Sequence, residues 1–375
     1  MAHAYTPGLK VLHETKVTKE RRLPLKGDVL VSKNAAVKPD DIVARTHLPG
    51  NVQMVNVANI LNIDAADIAD VMKKTENDPI EKDEILAETP GLFGLFKSKV
   101  TSPVDGTMET YSNVTGQVIL REAPIPVEMD AYISGKVQSL IPEEGVYIEA
   151  DAAFIQGIFG IGGESRGDLI TVGESRKDEI TEAMLDSSMK GKIVIGGSFI
   201  DLKTYRKAIS LEIAGIVVGG FNYQDLEDIL GYKLGVAITG SEDLVTSLVV
   251  TEGFGKINMG HRTYDLLKSL EGKFASINGS TQIRAGVIRP EIVIPLNSEE
   301  VKGDHKDINS SSGISEGSLV RVIRAPYFGA IGHVVSLPSE LQVMESETKV
   351  RVAEIDIKGE KAIIPRANLE LVETD

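Results

Sequence analysis

The sequence predicts a multidomain chain that combines all-β modules with a parallel α/β domain, and three observations predict it. From residue 27 to 168, short apolar strands are separated by Gly, Pro and Asp, the punctuation of small β modules. From 169 to 296, apolar strands alternate with helical stretches, the pattern of a parallel sheet with crossover helices. From 314 to 375, strand-like alternation returns behind a linker at 297–313 that includes Ser310, Ser311, Ser312 and Gly313.

Composition narrows the function. The 375 residues are 42% apolar and 25% charged, enough apolar material for real cores. The formal net charge of -15 opposes broad charge-driven binding to nucleic acid or anionic membrane. There is no cysteine, which excludes thiolate nucleophiles, disulfides and Cys-ligated metal sites. Residues 1–10 lack the apolar core of a signal peptide, and no run reaches the roughly 20 apolar residues of a membrane span, so a cytoplasmic location is expected.

Residues 1–26 are polar and extended. Lys16, Lys19, Arg21, Arg22 and Lys26 lie close together, but Glu14 and Glu20 dilute them, so a solvated lead-in strand is expected over a nucleic-acid arm. Two phrases then repeat within 27–168. The first runs through Val37, Pro39, Asp40, Asp41, Ile42 and Val43. It returns as Ile80, Lys82, Asp83, Glu84, Ile85 and Leu86, with a looser echo at 142–149. The second is Ser102-Pro103-Val104-Asp105-Gly106-Thr107-Met108, matched by Ala131-Tyr132-Ile133-Ser134-Gly135-Lys136-Val137. In both copies a Gly stands between apolar strand residues. A short amphipathic helix over 64–74 interrupts the module, with Asp64 as N-cap and Ile68, Val71 and Met72 on one face.

The paired phrases resemble the barrel-sandwich hybrid of biotinyl and lipoyl carrier domains. In that family the modified lysine sits at the hairpin tip, a few residues before the Ser-Pro-x-Asp-Gly strand. Here that stretch is Gly91-Leu92-Phe93-Gly94-Leu95-Phe96, and Lys97 and Lys99 lie too close to Pro103. The resemblance therefore implies a carrier-like fold without a carried group, and no cofactor is expected. A tip bearing Leu92, Phe93, Leu95 and Phe96 is a contact surface for a partner, or folds back on the chain itself.

In the α/β region strands are expected at 192–197, 215–220, 235–240 and 247–251, and helices at 202–211, 224–230 and 262–270. Gly196, Gly197 and Ser198, then Gly219 and Gly220, then Thr239, Gly240 and Ser241 each follow an expected strand. In an open parallel sheet all three groups would line the C-terminal edge, where their amides and hydroxyls hold a phosphate or carboxylate. The alternative is that these glycines only make strand-to-helix turns. Residues 278–281 and Arg284 are further donors. The run Gly160-Ile161-Gly162-Gly163 looks like a phosphate loop, but no Walker lysine or helix follows it, so an inter-strand turn is expected.

The last module carries the most specific pattern. Arg321 lies in the strand 316–323, a turn passes through Ala325, Pro326, Tyr327, Phe328 and Gly329, and Gly332 and His333 follow in the next strand. This resembles the KOW motif of SH3-like barrels almost position by position. In known families such modules contact RNA or protein within transcription and ribosomal assemblies. The resemblance implies a partner surface at Arg321, Arg324, Tyr327 and Phe328. Ten acidic residues against seven basic from Gly313 onward favour protein over RNA.

Catalytic sets are hard to assemble. The six histidines stand singly, no pair has metal-ligand spacing, and no Gly-x-Ser-x-Gly elbow occurs. The expectation is a non-enzymatic binding or scaffold protein that docks on a larger protein assembly, with RNA contact through the KOW-like module as a lesser version. Two alternatives stand beside it. One is an enzyme or enzyme subunit that takes a small anionic ligand at the glycine-lined edge. The other is a structural protein that assembles into homo-oligomers through the Leu/Phe tip.

Overall fold

The computed structural model describes residues 9–90, 97–232, 239–240, 242, 244–282, 288–297, 299–301, 314–324, 326–344 and 349–371. It is mostly strand with few helices, and its largest sheet curls into a half-barrel.

Residues 27–168, read in the sequence as one module, hold two sheet systems, one nested in the other. In the outer one, strand Ile42–Leu48 pairs antiparallel with Ile125–Asp130, so that Leu48 faces Ile125. The chain between them is the inner system, with strands Val52–Asn56, Pro79–Ile80, Ile85–Glu88, Lys99–Thr101, Gly106–Tyr111 and Gln117–Arg121. The inner system therefore occupies the place of a hairpin tip in the outer one.

The two systems share several local bonds. Asn34 and Asn77 both adopt a left-handed φ, 68° and 70°. Their amides donate to the carbonyls of Val137 and Met108, each at 2.8 Å. Lys38 N is held by the Asp41 carboxylate at 2.7 Å, and Glu81 N by the Glu84 carboxylate at 3.0 Å. Ala131 N reaches Asp41 O at 3.0 Å, and Ser102 N reaches Glu84 O at 2.8 Å. The glycine of each second phrase is required by crowding. A Cβ on Gly106 would lie 2.1 Å from Arg121 O, and one on Gly135 2.5 Å from Glu149 O. Each copy has its own core: Leu86, Met108, Val118 and Leu120 inside, Val43, Ile133, Val137 and Ile148 outside. The helix expected over 64–74 is only a 3-10 turn Ala65–Asp67, capped by Asp64, and a short helix Ile68–Val71, and an unexpected helix Val57–Leu61 precedes them.

The curled sheet holds the α/β region. Its parallel strands are Glu164–Thr171, Ile193–Ile195, Gly215–Phe221 and Ser247–Phe254, adjacent in chain order. Antiparallel strands Phe274–Asn278, Glu291–Pro295 and Gly145–Gln156 extend one side, and Phe159–Ile161 closes the other. Only Gly157 and Ile158 separate Gly145–Gln156 from Phe159–Ile161, so one run of chain supplies an inner strand on one side of the sheet and the edge strand on the other. The sheet is thus mixed, where a parallel one was expected. Its order turns back once: the parallel strands run outward from Glu164–Thr171 to Ser247–Phe254, and the next strand, Phe274–Asn278, joins antiparallel on the other side of Glu164–Thr171.

Alternation along the strands sends side chains to two covered faces. Val194, Ile216, Val218 and Val250 pack under helices Leu202–Ser210 and Tyr223–Leu230. Ile193, Ile195, Val217 and Val249 pack against helix His261–Ser269. Asp201 caps Leu202–Ser210 by accepting from Thr204 N at 2.7 Å, which holds its carboxyl below the usual range despite an opposing desolvation. Asp201→Ala should cost about 1 kcal/mol in urea unfolding at neutral pH. A depressed carboxyl stabilises the fold above its unfolded pKa of 3.8, and the contribution disappears as pH falls through the lower folded value. Wild type and variant should therefore converge in strong acid.

The lead-in is a strand, Val11–Arg22, paired along Gly145–Gln156. Its basic residues are neutralised in place. Lys16 pairs with Glu149 at 3.0 Å, Lys26 with Glu143 at 2.7 Å, Lys19 with Glu291, and Arg22 with Glu144. Arg21 bridges Asp130 at 2.8 Å and Glu164 at 2.6 Å, tying the outer module to the curled sheet. The C-terminal module is a six-stranded antiparallel sheet built around Val320, Val322, Ile355 and Leu369. Among the described residues no helix is long and apolar enough to cross a membrane.

Candidate functional site

The glycine groups expected to share one edge are divided. Gly196, Gly197, Gly219 and Gly220 do sit together at the C-terminal end of the parallel strands, with Gly219 N bonded to Gly197 O at 2.9 Å. Thr239 and Gly240 lie at the opposite end. There Thr239 Oγ1 donates to Gly160 O at 2.8 Å, beside the start of Ser247–Phe254. Ser241 and Arg284 fall outside the described residues.

The edge that remains is closed by backbone. A Cβ on Gly197 would meet Asp178 O at 2.5 Å, one on Gly219 Ile257 O at 2.2 Å, and one on Gly220 Gly255 O at 1.9 Å. Ser198 is buried, with Oγ donating to Lys177 O at 2.8 Å. These glycines let the loops 173–178 and 255–259 cross the strand ends, and their surface is spent on that crossing. The Gly160–Gly163 run forms strand Phe159–Ile161 and a turn. Gly160 N is taken by Thr281 Oγ1 at 2.9 Å and Gly162 N by the Glu242 carboxylate at 3.2 Å.

The expected partner residues of the last module are also mostly engaged. Arg321, 3% exposed, points out of the C-terminal sheet into the end of strand Ser247–Phe254. Its guanidinium donates to Glu252 Oε2 at 2.7 Å and to Glu370 Oε2 at 3.2 Å, and Glu252 Oε1 accepts from Gly260 N at 2.9 Å. Burial pushes the Glu370 carboxyl up, against the pull of Arg321 and Arg289. Arg321 Nε, Arg289 Nη1 and Glu370 Oε1 are buried without a hydrogen-bond partner, so this junction is under-satisfied. Phe328 packs beside it, 6.3 Å from Phe254, which also meets Phe159 at 5.4 Å and Tyr223 at 5.1 Å. Only Arg324 and Tyr327, the latter 45% exposed, remain at the surface. Leu92, Phe93, Leu95 and Phe96 lie outside the described residues.

Two features escaped the sequence reading. The first is a cleft of about 810 Å³ between the ends of the parallel strands and the C-terminal module. No signal announced it, because its walls come from separate units. The second is a set of exposed apolar side chains on the inner module, termed its rim. Val52 and Met54 stand exposed on edge strand Val52–Asn56, Ile60 follows on helix Val57–Leu61, and Val114 caps the turn whose Gly116 packs on Ala58. Met54 is 67% and Val114 83% exposed. Alternation in 52–56 was the available clue. Among the described residues no group of three or more His, Asp or Glu side chains is placed to hold a metal.

Comparison with protein-family models finds no match to this chain, and comparison with curated proteins finds none.

Proposed function

We propose that the chain is a non-enzymatic scaffold that docks on a larger protein assembly through its inner module. The observation that carries this is the placement of that module. It replaces a hairpin tip, hangs on the Leu48–Ile125 neck, keeps a separate core and carries the Val52–Met54–Ile60–Val114 rim. A carrier domain presents its working end at the same hairpin tip. The repeated turn and strand pairs support reading both copies as barrel-sandwich hybrids, and the antiparallel last module as an SH3-like barrel.

Charge selects the kind of partner. Between Pro49 and Pro124 there are twelve acidic residues and six basic ones, so the module repels phosphate backbones and favours a protein with a basic, apolar face. Val52–Asn56 is an edge strand, so the partner is read as adding a strand there, with side chains over Val52 and Met54. In this reading the KOW-like turn serves internal docking, and RNA contact would be limited to Arg324 and Tyr327.

The test is quantitative capture from cells of origin with the full chain, its Met54→Glu/Val114→Glu variant and its Tyr327→Ala variant. Both positions of the double variant are exposed, so the fold should hold, within ~0.5 kcal/mol per site. The proposal expects a defined set of proteins at fixed stoichiometry that the double variant loses tenfold or more and Tyr327→Ala retains. A set unaffected by the double variant would refute it. Enrichment of RNA that depends on Tyr327 would move the docking surface to the last module.

A further inference from the structure

The cleft beside the buried junction has the dimensions and chemistry of a small-molecule site. Its volume of about 810 Å³ falls within the ~300–1,000 Å³ of ligand pockets, and it lies between two units, where such pockets recur. Its floor is the C-terminal end of strand Ser247–Phe254, and its far wall is the segment 328–331 with the hairpin turn at 357–358.

Three cations line it: Arg176, Lys256 and Lys358. Arg176 is steered by a hydrogen bond to Met259 O at 3.2 Å, and Lys256 is held by Glu179 at 2.7 Å. Lys358 occupies a left-handed turn position with φ of 57°. The carboxylate that also faces the cleft, Glu252, already accepts from Gly260 N and pairs with Arg321. The lining thus holds three cations against one carboxylate, with Lys256 shared with Glu179. Apart from Asn258, the other side chains of the wall are apolar, with Phe254 and Phe328 offering ring surface and Ile257 and Ile331 flanking them. A cationic rim over an aromatic wall fits a molecule that joins a di-anionic group to a flat ring.

We infer that this cleft binds a nucleoside diphosphate, with its phosphates at Arg176, Lys256 and Lys358 and its base against the Phe254–Phe328 wall. The glycine-lined edge named from sequence is filled by backbone, but the same strand ends continue outward into this cleft, where side chains rather than bare amides meet the anion. Because the walls belong to the curled sheet and to the C-terminal module, a bound ligand bridges the two and adds attraction across the under-satisfied junction. The inference is independent of the docking surface on the inner module.

The experiment uses the full chain and four probes, ADP, GDP, CDP and UDP, with adenosine and pyrophosphate as separate arms. Titration calorimetry and thermal unfolding are read at low ionic strength. At a hundredfold excess over Kd, a nucleotide should raise the unfolding temperature by about 2 °C or more, since it binds only the native state. Lys358→Asn removes one cation at a position where Asn tolerates the left-handed φ, and should weaken binding about tenfold without lowering the temperature of the ligand-free protein. Adenosine and pyrophosphate should each bind at least tenfold more weakly than the best nucleotide. No saturable binding of any of the four at millimolar concentration overturns the inference, and so does binding that Lys358→Asn leaves unchanged. Pyrophosphate that matches the nucleotides would overturn the role given to the aromatic wall.

Discussion

Arg321→Met should lower the stability of the docked C-terminal module by about 3–5 kcal/mol, the range for breaking a buried ion pair from one side. The side chain is almost fully buried and is the shared counterion of Glu252 and Glu370, of which Glu370 is 1% exposed. Without it, both carboxylates keep their desolvation cost, and the nearest remaining cation is Arg289 at 3.9 Å from Glu370. Ile323 and Phe328, which pack on the core of the curled sheet, would lose their support together. The sign of the pH dependence follows. Burial already raises the Glu370 carboxyl above 4.5. In the variant the penalty is full above the raised value and shrinks as pH falls and the group takes up a proton. Urea unfolding at neutral and mildly acidic pH, with segment-resolved hydrogen exchange, measures both. Adding Glu252→Gln and Glu370→Gln should recover part of the loss. A change in midpoint worth less than ~0.5 kcal/mol, the scale of an ordinary surface substitution, would mean that the junction is not held this way.

Leu86→Ala should cost the inner module about 2–5 kcal/mol and leave the outer module intact. Leu86 has no exposed surface and sits among Met108, Val118 and Leu120, a core distinct from the one around Val43 and Val137. Exchange should accelerate across 52–121, while the amides of Ile42–Leu48 and Ile125–Asp130 keep their protection. Loss of protection in the neck strands as well would show that the two copies unfold as one, and would remove the ground for treating the inner module as a separate docking head. The expectation rests on the architecture: the neck strands complete their ladder with each other, from Leu48 opposite Ile125 to Ile42 opposite Asp130.

The duplication behind that architecture was half visible. The turn residues Asp40, Asp41, Asp83 and Glu84 and the glycines Gly106 and Gly135 repeat in the sequence because each copy needs the same local bonds and the same close backbone crossings. That one copy sits inside the hairpin of the other was not visible, because the pairing that shows it joins residues far apart in the chain. The glycine groups of the α/β region show the same division. Their position after strands was legible. Their occupation by the loops at 173–178 and 255–259 was not, since sequence carries no record of what crosses a strand end. Arg321 is the sharpest instance. Alternation placed it on a strand, and its charge read as a surface for a partner, yet the partner is Glu252 of this chain.

Residue order therefore carried much of what is set over about ten residues: many of the strands and helices, the turns, the two repeated phrases, the absence of cysteine chemistry and the acidic balance. Backbone periodicity and turn chemistry act at that range, and they write themselves into residue order. The tertiary structure alone decided which charges are compensated, which glycines are covered and where open surface is left. Those outcomes depend on desolvation and on distance through space. The residues that meet at the Glu252–Arg321–Glu370 junction, or around the cleft beside it, are neighbours only after the chain has folded.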